Sequence, residues 1–183
     1  MRGFNLAQYE HRTLKAQQLM QQHELGALLL TTETNVRYFT GFLTRFWESP
    51  TRPWYLIIPQ SGKPIAVIPS IGEALMSKTW VEDIRTWPSP DLTDDGINLL
   101  SETLNEVAKK NRVGIPSGAE THVRIPRNDL IKLSQSVNLS HDFEIVKNLR
   151  MIKSKEEIIK IEKACMIAKE AFSRVSEIAS ENI

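Results

Sequence analysis

The side chains that most often carry out catalysis are present in this chain but form no catalytic pattern. There are four histidines: His11, His23, His122 and His141. None of them has the H-x-H, H-x-x-E-H or H-E-x-x-H spacing that would bring ligands around a metal ion. The acidic pairs Asp94–Asp95 and Glu156–Glu157 begin predicted helices, where the helix dipole alone favours negative charge. We therefore predict no catalytic residue and no metal site within this chain.

A single cysteine and one glycine-containing turn are the remaining candidates for chemistry. Cys165 cannot form an internal disulfide, and it lies on the apolar face of a predicted helix, which is typical of a small buried hydrophobic residue. The turn Gly114–Gly118 follows a predicted strand, but it lacks the spacing and the helix N-terminus that a phosphate site requires. By itself, the chain does not have the residue pattern of an enzyme.

Alternating helices and strands must position these side chains. Hydrophobic periodicity predicts helices at 6–24, 70–80, 94–110 and 126–134, and strands at 27–31, 54–58, 65–68, 83–87 and 112–115. Segments 137–139 and 143–146 are predicted to be closing edge or linker segments. Ser61–Gly62 between prolines predicts an antiparallel hairpin, and Ser70 with Glu73 has the spacing of a capping box. The pattern predicts an α/β fold, a three-layer sandwich with a mixed sheet.

The charge distribution narrows the possible partners. The chain has 23 basic and 22 acidic residues, well mixed along its length, for a net charge of +1. Such a balance disfavours binding to nucleic acid or to an anionic membrane surface. No stretch approaches the roughly 18 apolar residues of a membrane span, and Met1–Asn5 lacks the apolar region of a signal peptide. We predict a cytoplasmic protein without nucleic-acid or membrane partners.

The last segment is a long amphipathic helix that begins with a capping box at Ser154 and Glu157. Its apolar side chains recur at steps of three and four residues: Ile158, Ile161, Cys165, Ala168, Phe172, Val175 and Ala179. This stripe faces nothing that the preceding chain builds, so we expect the chain to be the front part of a longer protein. Alone, the stripe should be covered by a second copy or by its own domain, or the helix should fray after its first turns. A two-fold dimer is the preferred outcome.

Four segments resemble one known family, in the same order along the chain. Asn35–Phe42 is similar to the N-x-x-Y-x-[ST]-G-[FY] segment of the creatinase/prolidase N-terminal domain, which is an RNase H-like fold. Later landmarks of that domain resemble Arg52–Pro59, Arg112–Ile115 and Leu149–Ile158. The resemblance implies that residues 1–147 are this domain. Residues 148–183 would be the linker and the first helix of a pita-bread catalytic domain of the M24 family.

The resemblance also implies a two-domain parent enzyme, usually a dimer, such as an Xaa-Pro dipeptidase or aminopeptidase, or creatinase. Its two divalent metal ions (Mn, Co or Zn) would be bound by Asp, Asp, His, Glu and Glu ligands of the C-terminal catalytic domain. None of these five ligands lies in this chain. Its substrate would be a small peptide or a small amide, and the present chain would dimerise and gate access to the site.

In creatinase-like members, the resemblance implies, a loop of this domain brings an aromatic residue and an arginine to the substrate of the neighbouring subunit. The matching stretch is Leu43–Trp54, and its candidate binding residues are Arg45, Phe46, Trp47, Arg52 and Trp54. An arginine can hold a carboxylate with two hydrogen bonds, and an aromatic ring can stack on a substrate or cover a quaternary ammonium. Alternatively, the aromatic residues close the sheet edge and the arginines pair with local acids.

Two other functions fit the same residues. One is a non-catalytic relative in which the peptidase-like architecture binds a protein or a peptide. The other is an independent α/β domain with an unrelated binding role, which would require the terminal helix to pack on its own domain. The presence or absence of the five metal ligands downstream would separate the enzyme from the non-catalytic relative.

Overall fold

The computed structural model describes residues 3–49, 52–175 and 179 of the chain. The chain divides into two compact units, Met1–Arg150 and Met151–Ile183. The strands of the first unit are β1 (Leu25–Leu30), β2 (Tyr55–Pro59), β3 (Ile65–Pro69), β4 (Asp83–Trp87), β5 (Arg112–Ile115) and β6 (Leu139–His141). The helices that precede the second unit are α1 (Leu6–Gln22), α2 (Glu33–Thr40), α3 (Glu73–Met76), α4 (Ile97–Ala108), α5 (Arg127–Ser136) and α6 (Ile145–Met151).

The described strands form one mixed sheet in the order β4-β3-β2-β1-β5-β6. The pairs β1–β2 and β2–β3 are antiparallel, whereas β3–β4, β1–β5 and β5–β6 are parallel. The predicted hairpin is therefore confirmed. β1 lies inside the sheet and all of its residues are buried, as expected of a strand that is apolar on both faces.

The core has one layer on each face of the sheet. Successive side chains of a strand point to opposite faces, so Leu28 and Leu30 join one cluster while Leu29 joins the other. The first cluster includes buried residues of α1, α2 and α6, and the second includes buried residues of α4 and α5. This arrangement confirms the predicted three-layer α/β sandwich.

The predicted helix at 70–80 is wrong in length and in its start. Ser70–Gly72 forms a 3₁₀ turn and α3 covers only Glu73–Met76, and no side-chain hydrogen bond caps either element. The reason is tertiary packing, because the ring of Trp54 lies against the backbone of Gly72, where a Cβ atom would collide with it. Packing thus overrides the capping-box spacing.

Three further predictions are displaced or incomplete. Residues 143–146 were expected in an edge or linker segment, but Asp142 accepts hydrogen bonds from Glu144 N and Val146 N and starts α6 there. The edge strand β6 lies before it, and Pro126 precedes α5 instead of opening it. The motif at 35–42 is mostly helical, since α2 runs through it and ends at Gly41, whose φ of 76° is left-handed.

The second unit contains α7 (Lys155–Ser173). Its capping box is confirmed, because Ser154 Oγ accepts from Glu157 N at 3.2 Å and Glu157 Oε2 accepts from Ser154 N at 2.8 Å. No residue of α7 is buried, and Ile158, Ile161 and Phe172 are exposed. The predicted continuation through 176–178 and Ser180 lies outside the described residues. Within the described part of the chain, none of the helices combines the length and the apolar character needed to cross a membrane.

Candidate functional site

The predicted binding residues lie in the connection between α2 and β2. Gly41 ends α2, and Arg45–Glu48 then form a 3₁₀ turn that is capped by Thr44, whose Oγ1 accepts from Phe46 N at 3.2 Å. Trp54 immediately precedes β2. Pro50 and Thr51, which belong to the same predicted loop, are outside the described residues. The sheet and α2 therefore hold both ends of this connection.

Three of the predicted aromatic residues meet in one cluster with Phe42. The Trp54 ring centroid lies 5.6 Å from that of Phe42, 6.2 Å from Phe46 and 5.8 Å from Trp47. We call these residues the aromatic cluster. Trp54 is fully buried and Trp47 is 8% exposed, whereas Phe46 is 40% exposed. Phe46 is thus the most exposed of these members, with Trp54 stacked on its ring and Arg52 over it, and substrate contact by Phe46, Trp47 and Trp54 stays a prediction.

The predicted arginines do not form the acid pairs of the alternative interpretation. Arg52 is half-buried and its Cζ lies 5.8 Å from the Phe46 ring centroid. Arg45 is exposed. Neither has an ion pair with a described carboxylate. The structure therefore brings Arg52 and Phe46 together and leaves Arg45 at the surface.

Arg124 also belongs to this site, although sequence reasoning missed it. It lies between β5 and α5, and its Cζ is 5.3 Å from the Trp47 ring centroid. Its Nη2 donates to the carbonyl of Ser49, and its backbone N donates to Thr31 Oγ1 at 2.9 Å. Partial burial lowers the pKa of Arg124, and the carboxylate of Glu33 opposes that shift. No local pattern marks this residue, since 93 positions separate it from Thr31.

Several hydrogen-bond donors at this site have no acceptor. Trp47 Nε1, Trp54 Nε1 and Arg124 Nη1 are buried, and none has a hydrogen-bond partner within the described structure. A buried donor without an acceptor typically costs about 1–3 kcal/mol. Such groups are uncommon in native proteins. The site therefore has spare donors that a carbonyl or a carboxylate could satisfy.

Two of the segments that resemble known motifs contact each other elsewhere in the first unit. Arg150 Nη1 donates to Asn35 Oδ1 at 2.8 Å, and Tyr38 OH donates to the Leu149 carbonyl at 3.0 Å. The buried Arg12 donates from Nη1 to the Tyr38 carbonyl at 2.7 Å, and its Cζ lies 4.2 Å from the Tyr38 ring centroid. We call these five residues the polar junction. It fixes the end of the first unit to α1 and α2.

The described residues contain no group of three or more His, Cys, Asp or Glu side chains that could hold a metal ion. His23 instead stacks on Phe143 with a centroid distance of 4.3 Å, and the His141 ring lies tilted against Phe143 at 4.0 Å. Cys165 is exposed on α7, which corrects the expectation that it is buried. The part of the chain that the structure describes therefore does not fit a metal centre.

The chain is similar to proteins that are about twice as long. An uncharacterized hydrolase/peptidase of Sinorhizobium fredii is 25% identical over an alignment of 187 positions, which covers 98% of this chain and 47% of that protein. The fold is shared with a prolidase from Thermococcus sibiricus (TM-score 0.75, 22% identity, 92% of this chain and 44% of that one). It is also shared with a dipeptidase from Mycobacterium ulcerans (TM-score 0.70, 22% identity, 94% and 44%).

The chain spans less than half the length of each of these three proteins. The family profile of the creatinase/prolidase N-terminal domain matches residues 12–152, which include both the aromatic cluster and the polar junction. On this match, the chain belongs to the creatinase/prolidase N-terminal domain family.

Proposed function

We propose that this chain is the N-terminal, dimerising and substrate-gating domain of an M24-type metallohydrolase, most generically an Xaa-Pro dipeptidase or aminopeptidase. The observation that carries the proposal is the family match over residues 12–152 in a chain that spans 47% of its hydrolase/peptidase relative. The remainder of such a relative has room for a catalytic domain. Residues 1–147 are then the N-terminal domain, and 148–183 are the linker and the first catalytic-domain helix.

The catalytic metals belong to the second domain in this proposal. Two divalent ions, Mn, Co or Zn, would supply an activated water and stabilise negative charge on the scissile group. Metals alone do not select a substrate, so walls and a lid are required. The present chain would contribute the partly exposed side chain of Phe46 and the guanidinium of Arg52, whose Cζ lies 5.8 Å from the Phe46 ring centroid. They would position the substrate and exclude water from it.

The test is made on the longer protein that contains this chain. Arg52→Ala should lower kcat/KM for a Gly-Pro dipeptide by roughly 5- to 150-fold, the effect of losing one charged hydrogen bond. The matched control is Arg127→Ala, which removes an exposed arginine at the start of α5. Equal kcat/KM values for the two variants would show that Arg52 does not contribute to substrate binding. Creatine serves as a second substrate, because a creatinase-like hydrolase would cleave it in preference to the dipeptide.

The 183-residue chain alone should neither hydrolyse Xaa-Pro peptides nor bind a catalytic metal. The reason is that its described residues provide no cluster of carboxylate and imidazole ligands. Hydrolysis by the purified chain that titrates with Mn²⁺ or Co²⁺ would contradict the division of labour between the two domains.

Homodimer formation is the remaining part of the proposal. For the chain by itself, it is supported by the exposed apolar residues of α7, since monomeric proteins rarely leave a long apolar band in water. In the longer protein, the catalytic domain would cover these residues instead. Sedimentation analysis of the chain at micromolar concentration should show a dimer. Replacing Ile158 and Ile161 by lysine should shift it to a monomer, whereas replacing Lys160 by alanine should not. A wild-type monomer would contradict this part of the proposal.

A further inference from the structure

The tryptophans of this chain differ in how their indole N–H groups are satisfied. Trp80 Nε1 donates to the Phe39 carbonyl and Trp87 Nε1 donates to Asp95 Oδ1, each at 2.8 Å. Trp47 Nε1 and Trp54 Nε1 are buried and have no acceptor within the described residues. Both unpartnered indoles belong to the aromatic cluster, where their ring centroids are 5.8 Å apart. The two indoles without an acceptor thus lie together, whereas the buried hydroxyls without a partner in the described residues, Thr13 Oγ1 and Ser89 Oγ, lie outside the cluster.

Arg124 adds a cationic donor to the same place. Its Nη1 is also buried without an acceptor, and its Cζ lies 5.3 Å from the Trp47 ring. The side chain is not free to turn toward another partner, because Nη2 is bound to the Ser49 carbonyl and the backbone is bound to Thr31. The orientation of Nη1 is therefore set by the fold.

The chemistry of these donors selects a negatively charged acceptor. A guanidinium prefers a carboxylate, whose two oxygens can accept from two separate donors in a charge-assisted contact. A neutral carbonyl lacks the charge that compensates a partly desolvated arginine. Arg45 and Arg52 lie on the same connection as Glu48, so these three side chains carry a net charge of +1, and the carboxylate of Glu33 already acts on Arg124.

We propose that Arg124 Nη1 and Trp47 Nε1 together bind the carboxylate of a small ligand, with the exposed part of the Phe46 side chain against its apolar part. The inference rests on the proposed function, because an Xaa-Pro peptide presents a C-terminal carboxylate next to an apolar ring. It names Arg124 as a specificity residue beside the residues that the sequence indicated. Both donors are buried, so binding requires a shift of the turn at Arg45–Glu48, which carries Trp47, and this shift changes the surroundings of Trp47.

The test uses the 183-residue chain and two probes of nearly equal shape, N-acetylproline and N-acetylprolinamide. The indole N–H signals are followed by nitrogen-15 NMR during titration. The acid should shift the Trp47 signal in a saturable way and bind at least about tenfold more tightly than the amide. The signals of Trp80 and Trp87 should not move, because their N–H groups already have acceptors.

Variants then assign the effect to Arg124. Arg124→Gln should weaken binding of the acid at least about tenfold, and Trp47→Phe should weaken it about threefold or more. The matched control is Arg112→Gln, because Arg112 also lies over a ring, 5.5 Å from Phe143, and donates to the His23 carbonyl. This variant should bind like the wild type. Unchanged Trp80 and Trp87 signals verify folding, and Arg124→Lys replaces Arg124→Gln if the latter fails to fold.

The inference is overturned if acid and amide bind alike, if no binding occurs up to about 50 mM acid, or if Arg124→Gln binds like the wild type. If the Arg124→Gln variant of the longer protein hydrolyses Gly-Pro with the same KM as the wild type, the role of Arg124 is refuted while the proposed function stands. Conversely, the chain can bind N-acetylproline through Arg124 while the longer protein has no hydrolase activity. That result would overturn the proposed function and leave the binding site in place.

Discussion

The polar junction and the aromatic cluster use the same residue types in opposite ways. In each, an arginine lies over aromatic rings and donates to a backbone carbonyl: Arg12 to Tyr38 and Arg124 to Ser49. At the junction, the side chains of Asn35 and Tyr38 also have hydrogen-bond partners. At the cluster, two indoles and one guanidinium nitrogen have none in the described structure. A closed set of hydrogen bonds stabilises the fold, whereas an open set leaves capacity for a ligand.

The two regions should contribute differently to the free energy of unfolding, because each hydrogen-bond donor gives up a bond to water when the chain folds. A partnered donor replaces its bond to water and contributes roughly 0.5–1.5 kcal/mol net, or about 1.5–3 kcal/mol when charged. An unpartnered buried donor loses its bond to water and gains nothing. Mutations that delete donors should therefore cost stability at the junction and little at the cluster. Side-chain packing should contribute to stability at both the polar junction and the aromatic cluster.

The largest effect is expected from removing the ring that holds the aromatic cluster together. Trp54→Ala should lower the free energy of unfolding by about 3–5 kcal/mol, because Trp54 is fully buried against three other rings and Gly72. Urea unfolding monitored by circular dichroism measures it. A loss below about 1 kcal/mol would mean that the cluster is not part of the core.

A matched pair of arginine variants compares the two regions directly. Arg12→Met should cost about 2–3 kcal/mol, because it removes a charged hydrogen bond and contacts with the Phe4 and Tyr38 rings. Arg124→Met should cost less than about 1 kcal/mol, since the bond to Ser49 is offset by relief of the unpartnered Nη1. Both are measured by urea unfolding. Equal losses would contradict the distinction between closed and open donors.

Two buried threonines give a nearly isosteric version of the same comparison. Thr40 Oγ1 donates to the Val36 carbonyl at 2.7 Å and accepts from Phe42 N at 3.0 Å, whereas Thr13 Oγ1 has no partner in the described residues. Thr40→Val should cost about 1–2 kcal/mol, and Thr13→Val should be neutral or slightly stabilising. Thermal unfolding of the two variants in parallel would reveal the difference. A larger loss at Thr13 would contradict it.

The smallest effect is expected from a single hydroxyl at the polar junction. Tyr38→Phe removes the bond to the Leu149 carbonyl but keeps the ring over which Arg12 lies. It should cost about 0.5–1.5 kcal/mol and increase amide hydrogen exchange near residues 149–151. The control is Thr13→Val, which removes a hydroxyl that has no partner in the described residues. It should leave amide exchange at 149–151 unchanged.

The predictability of the fold follows from periodicity. β1, β2 and β3 are short apolar runs with turn residues between them, so the hydrophobic pattern located them within about two residues. The prediction of a helix at 70–80 was wrong because the conformation of this segment depends on Trp54. This residue is distant in sequence and packs against Gly72. α2 was recognised as a motif but not as a helix, since an eight-residue helix is too short for a clear period.

The candidate site also contains residues that the sequence indicated and one residue that only the structure reveals. The family resemblance together with the residue types indicated the connection rich in aromatics and arginines, and the fold gathers three of its aromatics with Phe42. Arg124 could not be inferred, because it enters the site through contacts with Thr31 and Ser49, 93 and 75 positions away. Substrate binding by Arg45, Phe46, Trp47, Arg52 and Trp54 stays a prediction.

The sequence by itself determined the three-layer α/β architecture, the capping box of α7 and the resemblance to a known domain, because each depends on local spacing or on the alternation of apolar residues. Only the tertiary structure decided which donors are satisfied. Hydrogen bonds such as Tyr38 to Leu149 join residues 111 positions apart. That Trp47 Nε1 has no partner among the described residues is visible only once its surroundings are assembled. Burial converts an ordinary side chain into either a structural contact or an open donor, and burial is a property of the fold.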